Sequence, residues 1–117
     1  MLEIHIISLF PNSIHPYLDT SIMKRAQEKG LFQYFVHNLA DWSVKNTRRV
    51  DDRPYGGGAG TLITIEPLTN CIRQIQHEYE NMPILYVSPR GETLSQDYCH
   101  SLIENSEKYI IICGHYE

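Results

Sequence analysis

With 117 residues, 42% of them hydrophobic, the chain has room for one domain with an ordinary apolar core and is too apolar to be a disordered segment. Its formal net charge of -4 excludes a protein that coats nucleic acid or anionic membrane with a broad basic face, so any contact with nucleic acid must be local. Cys71, Cys99 and Cys113 are odd in number and share no CxxC spacing, which argues against a disulfide framework or a zinc site and fits a reducing cytoplasm.

In chain order, "LEIHIISLF" (2 to 10) predicts a strand that stops at Pro11. Because it carries Glu3 and lacks a basic leader or a small-residue cleavage site, it does not read as a signal peptide, and no stretch approaches the length of a membrane span. "SIMKRAQEKG" (21 to 30) predicts a helix with Gly30 as its C-terminal stop, and "LFQYFVHNL" (31 to 39) a second strand. A polar segment over roughly 40 to 60 follows, longer than structural connections usually are, which favours a functional loop. After it come a short apolar run, "TLITI" (61 to 65), and a helix opened by Glu66-Pro67 that runs through Tyr79. "ILYV" (84 to 87) is a third strand, 95 to 105 a helix with Ser95 as N-cap, and "KYIIIC" (108 to 113) a fourth strand. Apolar strands separated by helices define an α/β chain with a parallel sheet covered by helices on both faces. There is no internal repeat.

Parallel sheets bind ligands beyond the carboxyl ends of their strands. Two strand exits look alike: "ILYV" runs into "SPRGE" (88 to 92), and "YIIIC" into "GHYE" (114 to 117). Each offers a glycine beside polar or aromatic groups, so together they could build a small-molecule pocket. On spacing alone the plainer alternative, that Pro89 and Gly91 only turn the chain and Gly114 only ends a strand, stays open. The densest stretch is "DDRPYGGGAG" (51 to 60), with four of the chain's seven glycines. It is no P-loop, because Gly60 is followed by Thr61 and Leu62 instead of Lys-Ser/Thr, and no dinucleotide fingerprint, because the third glycine would fall on Thr61. Pro54 and Tyr55 stiffen it against use as a linker. What remains is a wall that a ligand approaches closely, beside Lys45, Arg48, Arg49 and Arg53, which could meet phosphates; a solvated loop whose arginines pair with Asp51 and Asp52 is the alternative.

Other residues attract plainer readings. His5 and His37 fall in strands, His15, His77 and His100 are scattered, and none has an i, i+4 histidine partner, so no metal site is expected. Trp42, Tyr34 and Phe35 are expected to pack, and Cys99 and Cys113 to be small buried hydrophobes.

Taken in order, "ISLFP" (7 to 11), "DDRPYGGGAG", "YVSPRGETL" (86 to 94) and "ICGHYE" (112 to 117) resemble the bacterial tRNA (guanine-N1)-methyltransferase family over essentially the whole chain. The resemblance implies a knotted SPOUT fold, S-adenosylmethionine as methyl donor, the guanine just 3′ of the tRNA anticodon as substrate, and a cytoplasmic homodimer with its site between subunits. Carried over residue by residue, it implies a cofactor pocket of Tyr86, Ser88, Pro89, Gly91, Gly114, Tyr116 and Glu117. It implies that Asp51, Arg53, Pro54, Tyr55, Gly58, Ala59 and Gly60 line the guanine. Thr61 departs from the family, which usually has methionine there. Similar proteins continue past "GHYE" with a further cofactor loop, the knot crossing, the expected general base and a helical tRNA-binding domain. The 117 residues are therefore expected to be a single N-terminal, truncated cofactor-binding domain that is inactive alone. The alternative is a non-catalytic nucleotide-binding module of the same fold class.

Overall fold

Isoleucine-rich runs become strands because a branched side chain suits the pleat, and each is long enough to cross one sheet. The computed structural model describes residues 1–42, 51–52, 62–63, 65–87 and 91–113. Its elements are β1 (Leu2–Ser8), α1 (Pro11–Leu18), α2 (Ser21–Glu28), β2 (Phe32–Asn38), a 3-10 turn (Leu39–Trp42), β3 (Asp51–Asp52), β4 (Leu62–Ile63), α3 (Ile65–Glu78), β5 (Ile84–Val87), α4 (Gln96–Asn105) and β6 (Lys108–Cys113). The main sheet has the order β2-β1-β6-β5, and every pairing in it is parallel.

Alternation along the strands sends side chains to two faces. On one, Ile7, Ile110 and Ile112 pack with Cys71 and Ile75 of α3, with Leu39 and with Met82, and this cluster is the core. Trp42 leans against it. Gln76 fastens the end of α3 to the approach to β5: its Oε1 accepts from the Met82 N–H at 2.8 Å and its Nε2 donates to the Met82 carbonyl at 3.2 Å. The opposite face bears Tyr109, whose hydroxyl donates to the Leu102 carbonyl of α4. Helices thus lie on both faces, as the pattern of apolar strands implies.

The sequence prediction misses α1. Pro11 stands at its first position, where the fixed φ suits a helix and no N–H is needed, so the residue that reads as a strand stop is also a helix start. The interior Pro16 and eight-residue length further weaken the signal. α1 is held to β2 through side chains. Tyr34 donates its hydroxyl proton to Asp19 Oδ1 at 2.8 Å, and the Tyr34 hydroxyl oxygen also lies 2.8 Å from His15 Nδ1. Burial first, and the bond to Asp19 second, push the Tyr34 phenol up to about 12. The second difference is that "TLITI" contributes a two-residue strand, β4, pairing antiparallel with β3 as a separate ribbon outside the main sheet.

Gly30 ends α2 as expected, with φ +73°. The Gly30 N–H donates to Gln27 O and the Leu31 N–H to Ala26 O, both at 3.0 Å, which is the paired closure of a Schellman motif. A Cβ built at Gly30 meets nothing within 4 Å, so only the left-handed backbone opposes a side chain. Gly30→Ala should therefore destabilise the fold by about 1 to 2 kcal/mol, the cost of left-handed backbone for an L-residue. Chemical denaturation of both forms measures it, and Gly30→Asn should lose less.

Candidate functional site

β5 and β6 run side by side to the carboxyl edge of the sheet, where Val87 is paired with Cys113. The two strand ends that precede the turns singled out in the sequence therefore lie next to one another. Of the seven cofactor-pocket residues, Tyr86 and Gly91 fall among the described residues; Ser88, Pro89, Gly114, Tyr116 and Glu117 lie outside them.

Tyr86 and Gly91 share a cleft of about 780 Å³ between α4 and the open face of the sheet, within the range usual for small-molecule sites. Its floor comes from strands, with Ile4, Leu85 and Ile111 projecting to one face, and its wall from Tyr98, Leu102 and Ile103 of α4. The surface is apolar. Ile84 is 44% exposed, Tyr86 55% and Val87 58%, uncommon exposure for strand residues of a parallel sheet that is ordinarily covered. Glu92 and Thr93 supply polar groups to the lining. Such a cleft can take a flat, partly apolar ligand against its apolar lining.

α4 stands where it does because its start is capped. Ser95 Oγ accepts from the Tyr98 N–H at 3.1 Å, as the sequence predicts, and Asp97 adds negative charge to the first turn. The α4 wall is the part of the site that the sequence prediction omits. Its signal is the apolar spacing Tyr98, Cys99, Leu102 and Ile103, a helical stripe that faces the cleft instead of the core.

The cysteines behave as thiols. Burial pushes Cys113 above its ordinary value, and Cys71, fully buried, is pushed up to about 12 by burial first and by Asp41 second. Cys99 and Cys113 are only partly buried, so the fully buried hydrophobe expected of them is Cys71 instead.

Of the residues expected to line the guanine, Asp51 has a described backbone, in β3 opposite Ile63. Arg53, Pro54, Tyr55, Gly58, Ala59 and Gly60 lie outside the described residues, as do Lys45, Arg48 and Arg49. Among the described residues there is no group of three or more His, Cys, Asp or Glu side chains able to hold a metal ion, and no helix is long and apolar enough to cross a membrane.

Known proteins with the same features can now be set beside this geometry. The family model described as tRNA (Guanine-1)-methyltransferase TrmD matches residues 2–117. A tRNA (guanine-N(1)-)-methyltransferase of Christiangramia forsetii is 40% identical over 116 residues, covering 99% of this chain and 51% of that protein. One from Clostridioides difficile is 37% identical with the same coverage. The crystal structure of tRNA (m1G37) methyltransferase from Aquifex aeolicus superposes with a TM-score of 0.87 at 31% identity, covering 99% of this chain and 52% of that one. The chain thus spans about half the length of the relatives it matches. With the family model matched from the first strand to the last, and a parallel sheet that superposes on a solved member, the chain belongs to the tRNA (guanine-1)-methyltransferase TrmD family.

Proposed function

We propose that the protein carrying this chain transfers a methyl group from S-adenosylmethionine to N1 of a guanine in tRNA. The observation that supports this reading most is the apolar cleft at the β5 exit, which has Tyr86 and Gly91 in its lining within a chain matched by the methyltransferase family model over residues 2–117. The methyl donor is a flat purine joined to a charged sulfonium. Its adenine suits the apolar wall of the cleft, and the polar residues of the two strand exits suit its remainder.

In this reading, Tyr86, Ser88, Pro89, Gly91, Gly114, Tyr116 and Glu117 hold the methyl donor, which supplies an electrophilic methyl group when bound. Asp51, Arg53, Pro54, Tyr55, Gly58, Ala59 and Gly60 hold the guanine, with the glycines bare so that a flat base can approach the backbone. N1 of guanine carries a proton at neutral pH, so its attack on the methyl group needs a positioned base. The family resemblance assigns that base to a position beyond Glu117. Residues 1–117 are, in the same reading, one cofactor-binding domain of a cytoplasmic homodimer whose tRNA-binding domain follows it.

The experiment is methyl transfer by the whole protein from radiolabelled S-adenosylmethionine to tRNA transcripts with guanine or adenine 3′ of the anticodon. Label on the guanine transcript alone is expected. No label on either, with calorimetry showing ATP or a dinucleotide bound in place of S-adenosylmethionine, would sink the reading in favour of another nucleotide-binding protein.

The basic stretch has its own expected result. Each phosphate neutralised on tRNA adds roughly 0.7 to 0.9 to the slope of log affinity against log salt. Replacing Arg48 and Arg49 by alanine in the whole protein should flatten that slope by about 1 to 2 while leaving S-adenosylmethionine affinity unchanged. A salt titration with an unchanged slope would remove the stretch from the tRNA-binding surface.

A further inference from the structure

β1 and β2 carry a line of titratable side chains that the cleft does not use, on the sheet face covered by α3. His5 is fully buried, yet both its ring nitrogens are engaged. Nε2 lies 2.9 Å from Glu3 Oε2, and Nδ1 lies 3.1 Å from Nε2 of His37 on the neighbouring strand. Gln33 donates to the other Glu3 oxygen at 2.9 Å. Rings close over the line: Phe35 stacks on His5 at 4.8 Å and 14°, Tyr79 lies 4.3 Å away, and Trp42 meets His37 edge-on at 6.4 Å.

The number of protons this line can hold follows from its geometry. A neutral imidazole presents one N–H and one lone pair, and an imidazolium presents two N–H groups. Between two nitrogens 3.1 Å apart there is room for one hydrogen. With both rings neutral, His5 donates to Glu3 from Nε2 and accepts at Nδ1 from His37 Nε2. One added proton is tolerated on either ring, because a donor still faces a lone pair across the gap and the Glu3 carboxylate stands beside the charge. Two added protons set donor against donor and place two cations with ring centres 5.3 Å apart in a largely dry site. Like charges that close in low dielectric repel strongly.

We propose that Glu3, His5 and His37 form a one-proton clamp that fastens β1 to β2 and opens when a second proton enters. The charged surroundings are spread over three elements. Glu78 of α3 favours charge on His37, while Lys108 of β6 faces Glu3 and is itself paired with Glu80, with Glu107 nearby. Burial first and His5 second hold His37 below its ordinary 6.5, against the pull of Glu78. Burial pulls Glu3 upward, but the hydrogen bonds from His5 and Gln33, with the charges of His5 and Lys108, outweigh it and leave Glu3 below 4.5. Both groups are depressed in the folded state, so both contribute stability that is complete above their ordinary values and lost as the pH falls through the folded ones. His37 acts first on acidification, from about pH 6.5 downward, and Glu3 follows below 4.5.

Nitrogen NMR of the imidazoles between about pH 8 and pH 4, with amide exchange of β1 followed in the same samples, tests the clamp. A scalar coupling between His5 Nδ1 and His37 Nε2 is expected at neutral pH. It should vanish in one step below pH 6.5, with the Ile4 to Ile7 amides exchanging faster by up to about tenfold per pH unit after correction for intrinsic rates. His37→Gln keeps a donor for His5 but cannot titrate, so it should abolish the step. A coupling that survives until the whole protein unfolds would overturn the proposal, as would a His37→Gln protein with the same step; should that variant fail to fold, the wild-type coupling decides alone.

Discussion

Gly58→Val or Gly60→Val in the whole protein should cut methyl transfer by at least about a hundredfold, the loss that a displacement of about 1 Å at a reacting centre produces. If those glycines are bare to admit the guanine, a branched side chain takes the space of the base or forbids the backbone angle that receives it. Among the described residues the core is built by Ile7, Leu39, Cys71, Ile75, Met82, Ile110 and Ile112, and in the proposed reading the loop glycines serve the base and not that core. The melting temperature should accordingly move by only a few degrees. Steady-state kinetics and thermal unfolding on the same preparations separate the two effects. A fall in melting temperature that matches the loss of activity would make the glycines a folding requirement and remove them from the guanine site.

Ile110→Ala should have the largest effect on stability. Ile110 is fully buried at the centre of the sheet, paired through β6 with His5 on one side and Ile84 on the other. Its side chain packs in the cluster with Ile7, Ile112, Cys71 and Ile75, so truncation leaves a cavity that no exposed neighbour can fill. Such changes cost about 2 to 5 kcal/mol, equivalent to a drop in melting temperature on the order of 10 °C for a domain of this size. Ile103→Ala, on α4 and 57% exposed, is the control and should cost well under 1 kcal/mol. Equal losses from the two variants would contradict the placement of the core on the α3 face.

The contrast between those two isoleucines shows what was legible in the sequence. Strands β5 and β6 fall at 84–87 and 108–113 as predicted, because their apolar runs are continuous and bounded by turn residues. Gly30 and Ser95 mark helix ends through local backbone chemistry, which a single sequence carries in full. Pro11 is ambiguous by its nature, since the same fixed φ that ends a strand begins a helix. Which face of a strand is core and which is cleft is set by where α3 and α4 land, so Ile110 and Ile111 look equivalent in sequence and have different neighbours in the fold. The His5–His37 contact is least legible of all. It arises from a parallel register that sets His5 opposite Phe35 and brings His37 diagonally across, and no spacing within either strand encodes it.

The strand order β2-β1-β6-β5 also governs when the sheet can exist during synthesis. β1 sits in the interior, and one of its two neighbours, β6, is nearly the whole chain away, with Glu3 opposite Lys108. A ribosome adds roughly 5 to 20 residues per second, so β1 must wait on the order of ten seconds for that partner. In the interval it can pair only with β2, leaving the other edge of an isoleucine-rich strand open to any extended segment nearby. When β6 arrives, Glu3 of that waiting edge comes to lie opposite Lys108 of β6, an acidic residue against a basic one at the start of the pairing.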